Sequence, residues 1–123
     1  MSSSLSGRRI LVVEDEVLIL LMIEDSLADL GCESVTSAAT IDQAVTLIDG
    51  QYFDAAMLDM NLDGSSSYAV ADALNARKVP FVFATGNCAD VIREGYRDQS
   101  VLRKPFSNED LAGAINHLLA DTR

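Results

Sequence analysis

The sequence contains no tryptophan, one histidine, two cysteines and two prolines in 123 residues. Cys32 and Cys88 stand far apart and form no Cys-x-x-Cys pair, so neither a disulfide framework nor a cysteine zinc site is expected. Both are interpreted as small buried side chains in a reducing compartment. Hydrophobic residues make up 49% of the chain and charged residues 23%. That composition is sufficient for one compact domain without covalent crosslinks.

Positive charge and long hydrophobic runs are also scarce. Nine basic residues stand against 19 acidic ones, a formal net charge of −10 that disfavours direct binding to nucleic acid. The longest apolar run, Val17 to Ile23, is far shorter than the ~20 residues of a membrane-spanning helix. The Ser-rich start does not resemble a signal peptide. We therefore expect a cytoplasmic protein with no membrane contact, comprising a disordered segment 1–7, a domain at 8–120 and a tail at 121–123.

Short apolar runs alternate with helical patterns along the chain, and consecutive apolar residues are typical of strands buried on both faces. The predicted strands are Arg9–Val13, Ser34–Ser37, Asp54–Leu58, Phe81–Ala84 and Ser100–Leu102. The predicted helices are Val17–Leu30, a Thr40-capped helix ending at Ile48, Ser67–Ala76, a short one at Ala89–Tyr96, and a Ser107-capped helix to Ala120. This alternation predicts right-handed crossovers and one parallel sheet, an α/β doubly wound fold.

Polar functional groups follow four of the five predicted strands, where a doubly wound sheet places its functional crevice. They are Glu14 and Asp15 after the first strand, Asp59 after the third, Thr85 after the fourth and Lys104 after the fifth. Three carboxylates brought together would repel one another by roughly 4 kcal/mol per pair at about 4 Å and an effective dielectric near 20. One lysine does not offset that repulsion. Oxygen ligands without histidine or thiolate favour Mg²⁺.

This set of residues matches the requirements of phosphoryl transfer to a carboxylate. Asp59 is the candidate nucleophile, which would become an acyl phosphate. Asp15, Asp59 and a loop carbonyl near Asn61 are the candidate metal ligands. Lys104 and the Thr85 hydroxyl would each contact another phosphoryl oxygen, because positioning and electrostatics supply most of the catalysis in this chemistry.

In this order the residues resemble the receiver domain of two-component response regulators. The matching motifs are Val12-Val13-Glu14-Asp15, Leu58-Asp59 with Gly64 after it, Ala84-Thr85-Gly86 and Lys104-Pro105-Phe106. The resemblance implies a flavodoxin-like sheet in the order 2-1-3-4-5 and phosphorylation of Asp59 by a histidine kinase or histidine phosphotransfer protein. It also implies that Glu14 acts through a metal-bound water. The protein would be a signalling switch or phosphate relay rather than an enzyme.

Two features, one position and one short run, distinguish this sequence within the family it resembles. Val101 occupies the position where most receivers carry an aromatic switch residue, three residues before the lysine. The run from Pro80 to Gly86 is similar to the Phe-Ala-Thr-Gly signature of the stand-alone "FAT GUY" subgroup, which commonly lacks that aromatic residue. Receivers meet their phosphodonors beside the first helix, so Val17 and Leu18 are candidate docking residues.

Other functions remain as alternatives. A pseudo-receiver would bind partners without being phosphorylated, although the complete acidic set argues against it. An aspartyl phosphatase of the haloacid dehalogenase type would carry Asp-x-Asp after its first strand, whereas Asp59 is followed by Met60-Asn61 on the third. A flavodoxin-like cofactor carrier would need a phosphate-binding loop where Glu14-Asp15-Glu16 stands.

Overall fold

A computed structural model describes residues 7–62, 65–86, 101–104 and 106–120. Its strands are β1 (Arg9–Val13), β2 (Ser34–Ala38), β3 (Ala55–Asp59), β4 (Asn61–Leu62), β5 (Ser65–Ser66), β6 (Phe81–Thr85) and β7 (Val101–Arg103). The helices in these ranges are α1 (Val17–Asp29), α2 (Ile41–Gly50), α3 (Tyr68–Ala76) and α4 (Asn108–Ala120). The predicted helix at Ala89–Tyr96, the segment 1–6 and the tail 121–123 lie outside the described residues.

Five parallel strands form the main sheet in the order β2-β1-β3-β6-β7. Counting these five along the chain gives 2-1-3-4-5, so the predicted fold and strand order are confirmed. The central strand β3 pairs with β1 on one side and β6 on the other, and Asp59 lies opposite Ala84. The carboxyl ends of β1, β3 and β6 therefore meet at one edge.

Apolar side chains cover both faces of the sheet because successive residues of a strand point to opposite sides. On one face Leu11, Leu58 and Phe83 pack with the buried residues of α2 and α3. On the other face Ile10 and Met57 pack with residues of α1 and α4. This two-sided burial explains why the strands read as continuous apolar runs. Cys32 is buried in the second cluster, as predicted.

Side-chain caps form at the starts of α2 and α4. Thr40 accepts a hydrogen bond from the Gln43 amide at 3.1 Å, and Ser107 and Asp110 exchange reciprocal side-chain bonds with each other's amides. The prediction that α2 stops at Ile48 is wrong. The helix continues through Gly50, where no positive φ is required, and the Gln51 amide still bonds to the Leu47 carbonyl at 3.0 Å.

Two further boundaries differ from the sequence prediction. Asp59 is the last residue of β3 and Thr85 the last of β6, so neither follows its strand as predicted. The segment after Asp59, predicted as a loop, contains two short antiparallel strands in which Asn61 pairs with Ser66. Two-residue strands offer no alternating pattern from which they could be recognised.

Arg9 and Asp54 join β1 and β3 at the amino end of the sheet. The Arg9 amide donates to Asp54 Oδ2 at 2.8 Å, and the Asp54 amide donates to the Arg9 carbonyl at 2.8 Å. Arg8 adds an ion pair with Asp54 at 3.6 Å, and the Arg9 guanidinium lies over the Phe53 ring. The two central strands are thereby aligned from the end opposite the acidic residues.

Candidate functional site

The strands bring the acidic residues together as the sequence predicts. Glu14 and Asp15 follow β1, and Asp59 ends the neighbouring strand β3. Each of the three offers a carboxylate oxygen, and these oxygens all lie within 4.8 Å of one another. Glu14 and Asp59 are buried and Asp15 is partly exposed, so the cluster opens to solvent on the Asp15 side.

Lys104 lies against two of these carboxylates. Its Nζ is 2.8 Å from Glu14 Oε1 and 3.2 Å from Asp59 Oδ2, distances that are hydrogen bonds as well as ion pairs. The lysine is held there by its backbone, because its amide donates to the Thr85 carbonyl at 2.8 Å. Thr85 is itself buried at the end of β6. Side-chain contacts thus join Lys104 to Glu14 and Asp59, and the backbone joins it to Thr85.

Glu14 occupies an unusual place for a carboxylate, with only 2% of its surface exposed. Burial raises its pKa above the usual value, the Lys104 hydrogen bond opposes that rise, and the nearby Asp59 adds to it. Its Oε2 accepts a hydrogen bond from the Glu16 amide at 3.1 Å. For Lys104, burial lowers the pKa, but contacts with Glu14 and Asp59 outweigh that effect and raise it. The lysine therefore stays charged.

The donor set fits a hard divalent cation. It consists of carboxylate oxygens, which are the ligands that Mg²⁺ prefers, and one lysine for three close carboxylates leaves excess negative charge. Asn61 lies in β4, two residues after Asp59 in the chain, so its backbone carbonyl is a further candidate ligand. Residues Glu14, Asp15 and Asp59, with the Asn61 carbonyl, are those that would hold the ion.

An exposed apolar surface on α1 lies beside the cluster. Val17, Leu18, Leu21 and Met22 are 67%, 77%, 51% and 65% exposed. Next to them a groove of about 410 Å³ runs between α1 and the start of α4. The groove is lined by Ile19, Met22, Ile23, Ser26, Lys104, Phe106 and Asn108. Val17 and Leu18, the docking candidates named from the sequence, are both exposed, and Leu21 and Met22 extend the apolar surface along α1.

A fold of this order, with a lysine and three carboxylates at one end, defines a receiver-type signalling module. The chain belongs to the response regulator receiver domain family, whose family model matches residues 10–116. Among curated relatives, a probable transcriptional regulator ycf27 of Cyanophora paradoxa is 32% identical over 123 residues, 96% of this chain. The match covers 51% of that protein. The chain thus spans about half the length of the transcriptional regulators it matches.

Solved structures give the same family. SdrG from Sphingomonas melonis Fr1 is 44% identical with a TM-score of 0.81, and the match covers 91% of this chain and 96% of SdrG. The receiver domain of the sensor histidine kinase PA1611 from Pseudomonas aeruginosa is 28% identical with a TM-score of 0.79. That match covers 94% of this chain and all of the other, whose structure has a magnesium ion in its active-site cleft.

Several predictions stay predictions after these comparisons. The resemblance to the Phe-Ala-Thr-Gly subgroup is one, and the domain boundaries at 8 and 120 are another.

Within the ranges that the structure describes, every helix is too short or too polar to cross a bilayer. The exposed His117 lies near the end of α4 and is not part of the acidic cluster.

Proposed function

We propose that this protein accepts a phosphoryl group on Asp59 in a Mg²⁺-dependent reaction and acts in two-component signalling as a switch or phosphate relay. The observation that carries the proposal is the position of Asp59. Its carboxylate lies 3.2 Å from the Lys104 ammonium and within reach of the Glu14 and Asp15 oxygens. A merely structural carboxylate would not need two further carboxylates beside it.

The roles of the residues follow from their chemistry. A carboxylate oxygen of Asp59 forms a bond to phosphorus while the bond between phosphorus and the donor's leaving group breaks. Lys104 then contacts a phosphoryl oxygen instead of the free carboxylate, and the Thr85 hydroxyl donates to another. Asp15, Asp59 and the Asn61 carbonyl would hold Mg²⁺, with Glu14 acting through a water. The ion would supply positive charge to the phosphoryl oxygens. Asp59 is a consumed acceptor, so the protein is not an enzyme in turnover.

The phosphodonor is proposed to be a histidine kinase or a histidine phosphotransfer protein that docks on α1. Val17 and Leu18 are exposed and begin α1 two residues after Asp15, so a partner covering them reaches the acidic cluster. An exposed apolar surface of this kind marks an interaction site more often than a solvated face. Phosphohistidine transfer to Asp59 would proceed across that contact. Neither nucleic acid nor membrane is a proposed partner, and a cytoplasmic location is proposed.

The test is to incubate the protein with Mg²⁺ and acetyl phosphate, weigh it intact and map the modified peptide. A labile phosphoryl increment on Asp59 is expected. It should be absent in Asp59→Asn and after chelation of the metal. Asp54→Asn is a matched control, because Asp54 is also a carboxylate beside β3 but lies at the opposite end of the sheet.

Two other outcomes would replace the proposal. If neither acetyl phosphate nor the stable mimic beryllofluoride attaches to wild-type protein, the pseudo-receiver alternative is favoured. If the protein instead turns over an external phosphoester such as p-nitrophenyl phosphate, it is an aspartyl phosphatase.

A further inference from the structure

The start of α3 contains a buried hydroxyl group that the proposed chemistry does not use. Ser67 is the N-cap residue of α3 and is 1% exposed. Within the part of the chain that the structure describes, its Oγ has no hydrogen-bond partner. Serine at an N-cap normally accepts a hydrogen bond from an amide in the first turn, and a buried hydroxyl without a partner is destabilising.

The backbone of Ser67 explains why the cap is not formed. An N-cap residue usually has extended dihedrals, as Thr40 does at the start of α2 with φ −132° and ψ 162°. Ser67 instead has φ −91° and ψ 14°, and its side chain makes no cap bond. Its carbonyl accepts from both the Val70 amide at 3.0 Å and the Ala71 amide at 3.2 Å. The Val70 amide, which a serine cap would bind, is therefore held by the carbonyl.

The Ser67 amide is hydrogen-bonded to the residue that directly follows β3, the strand that ends in Asp59. The Ser67 amide donates to the carbonyl of Met60 at 3.2 Å, and the Met60 amide donates to the Ala84 carbonyl at 3.0 Å. Met60 directly follows Asp59, and Ala84 directly precedes Thr85. Met60 thus connects the N-cap of α3 to both strands that carry the proposed phosphoryl contacts.

We propose that Ser67 is a two-position cap that responds to occupation of the Asp59 site. A phosphoryl group on Asp59 displaces the peptide segment that directly follows it and weakens the 3.2 Å bond from the Ser67 amide to the Met60 carbonyl. Released from it, Ser67 adopts the extended conformation and its Oγ accepts the Val70 amide. The inference rests on the proposed function, because occupation of Asp59 is the event to which Ser67 responds.

The change would reach the surface through the next residue. Tyr68 is half-buried, and its ring lies edge-on to Phe83 at 5.7 Å between centroids. Phe83 lies two residues before Thr85 and opposite the exposed Val101 of β7. A change at Ser67 therefore shifts the contact between the Tyr68 and Phe83 rings. A change at Thr85, in the same strand as Phe83, affects this contact as well. This route gives the protein a reporter of phosphorylation on α3, with valine rather than an aromatic residue at position 101.

The test compares isotope-labelled wild-type protein in Mg²⁺ alone and in Mg²⁺ with beryllofluoride, a phosphoryl mimic. Backbone chemical shifts report ψ of Ser67, which should move from near 14° toward the 162° seen at Thr40. Thr40 is the internal control and should keep its conformation. The Val70 amide only exchanges one acceptor for another, but the formed cap gives the buried Ser67 hydroxyl a partner and so stabilises the first turn of α3. Hydrogen exchange at Val70 should therefore slow by roughly fivefold on occupation.

Two variants test the role of the hydroxyl itself. Ser67→Ala should fold normally, since no hydrogen bond of Oγ is lost, but should abolish the slowing at Val70. Thr40→Ala is the matched control, which removes a formed cap elsewhere and should leave the slowing intact. The two-position cap alone is overturned if beryllofluoride binds while ψ of Ser67 stays unchanged. It is also overturned if hydrogen exchange at the Val70 amide still slows in Ser67→Ala. The absence of any bound resonance in wild-type protein rejects the proposed function and the cap together.

Discussion

The ammonium group of Lys104 lies 2.8 Å from Oε1 of Glu14, a contact between residues ninety positions apart in the chain. The side chains are 15% and 1% exposed, so this ion pair is shielded from solvent on the glutamate side. Its attraction offsets part of the cost of burying Glu14. The same ammonium group also contacts Asp59, so the lysine stabilises the apo site and is proposed to contact the phosphoryl group.

Replacing Lys104 by methionine should lower the free energy of unfolding by about 2 kcal/mol at neutral pH, because it leaves Glu14 buried without its partner. The deficit should shrink in acid. Burial already raises the pKa of Glu14, and loss of the lysine removes the hydrogen bond that lowers it. A carboxyl group with a raised folded-state pKa contributes stability at low pH that is lost as the pH rises.

Urea unfolding at pH 5 and pH 7 measures this effect. The double variant Lys104→Met with Glu14→Gln is the control, and its deficit should be smaller and nearly independent of pH. A deficit of Lys104→Met that is the same at both pH values would contradict the assignment to Glu14.

Asp15→Asn should stabilise the metal-free protein and weaken its response to Mg²⁺. Removing one of three carboxylates within 4.8 Å relieves repulsion, which at an effective dielectric near 20 would reach ~3.5 kcal/mol per pair. Since Asp15 is partly exposed, we expect a gain on the order of 1 kcal/mol. Unfolding with and without MgCl₂ tests both parts. Asp25→Asn, an exposed carboxylate on α1, should change neither value.

Leu18→Ala should separate docking from chemistry. With a phosphorylated histidine phosphotransfer domain that labels the wild-type protein, transfer should slow by about tenfold, the loss expected on truncating an apolar contact residue. Labelling by acetyl phosphate should be unchanged, since Leu18 is not in the acidic cluster. Tyr52→Ala removes a comparably exposed side chain at the other end of the sheet and is the control. Equal slowing with both donors would place the effect in the site rather than on α1.

Lys78→Gly should stabilise the protein by about 0.5 kcal/mol. Lys78 follows the C-cap residue of α3 and has φ of 59°, a conformation that is unfavourable for a side chain with a Cβ and is readily adopted by glycine. The Val79 amide bonds to the Leu74 carbonyl at 2.9 Å, as in a Schellman motif, so the backbone is fixed in this form. Gly31→Ala, at φ of 93° after α1, should lose stability instead. Thermal unfolding of both variants checks the opposite signs.

Most of the sheet could be predicted because its signals are local. The central strands β1, β3 and β6 are mostly apolar runs that end at or just before polar groups, so Asp59 and Thr85 were placed correctly to within one residue. Parallel pairing then brings the strand ends together whatever the details of packing. For that reason the acidic cluster was predictable without any knowledge of side-chain positions.

Other features depend on contacts that a sequence does not show. Glu14 is buried and hydrogen-bonded to Lys104, ninety residues away, and neither residue indicates the other by spacing. The unformed cap of Ser67 depends on a bond to Met60 across β4 and β5. A serine or threonine directly before a helix predicts a formed cap, as seen at Thr40 and Ser107. The tertiary contact with Met60 explains why Ser67 differs from them.

The two hydrogen bonds between Arg9 and Asp54, one accepted by the Asp54 carboxylate and one by the Arg9 carbonyl, fix where β1 and β3 begin relative to each other. Both strands start from this fixed point, and the same number of pleats carries each to the acidic edge. Inserting or deleting a single residue in either strand would turn its terminal carboxylate to the opposite face while leaving the apolar composition intact. The residue count of these two strands is therefore set by the charges that they bring together at the far end, and not by their apolar composition alone.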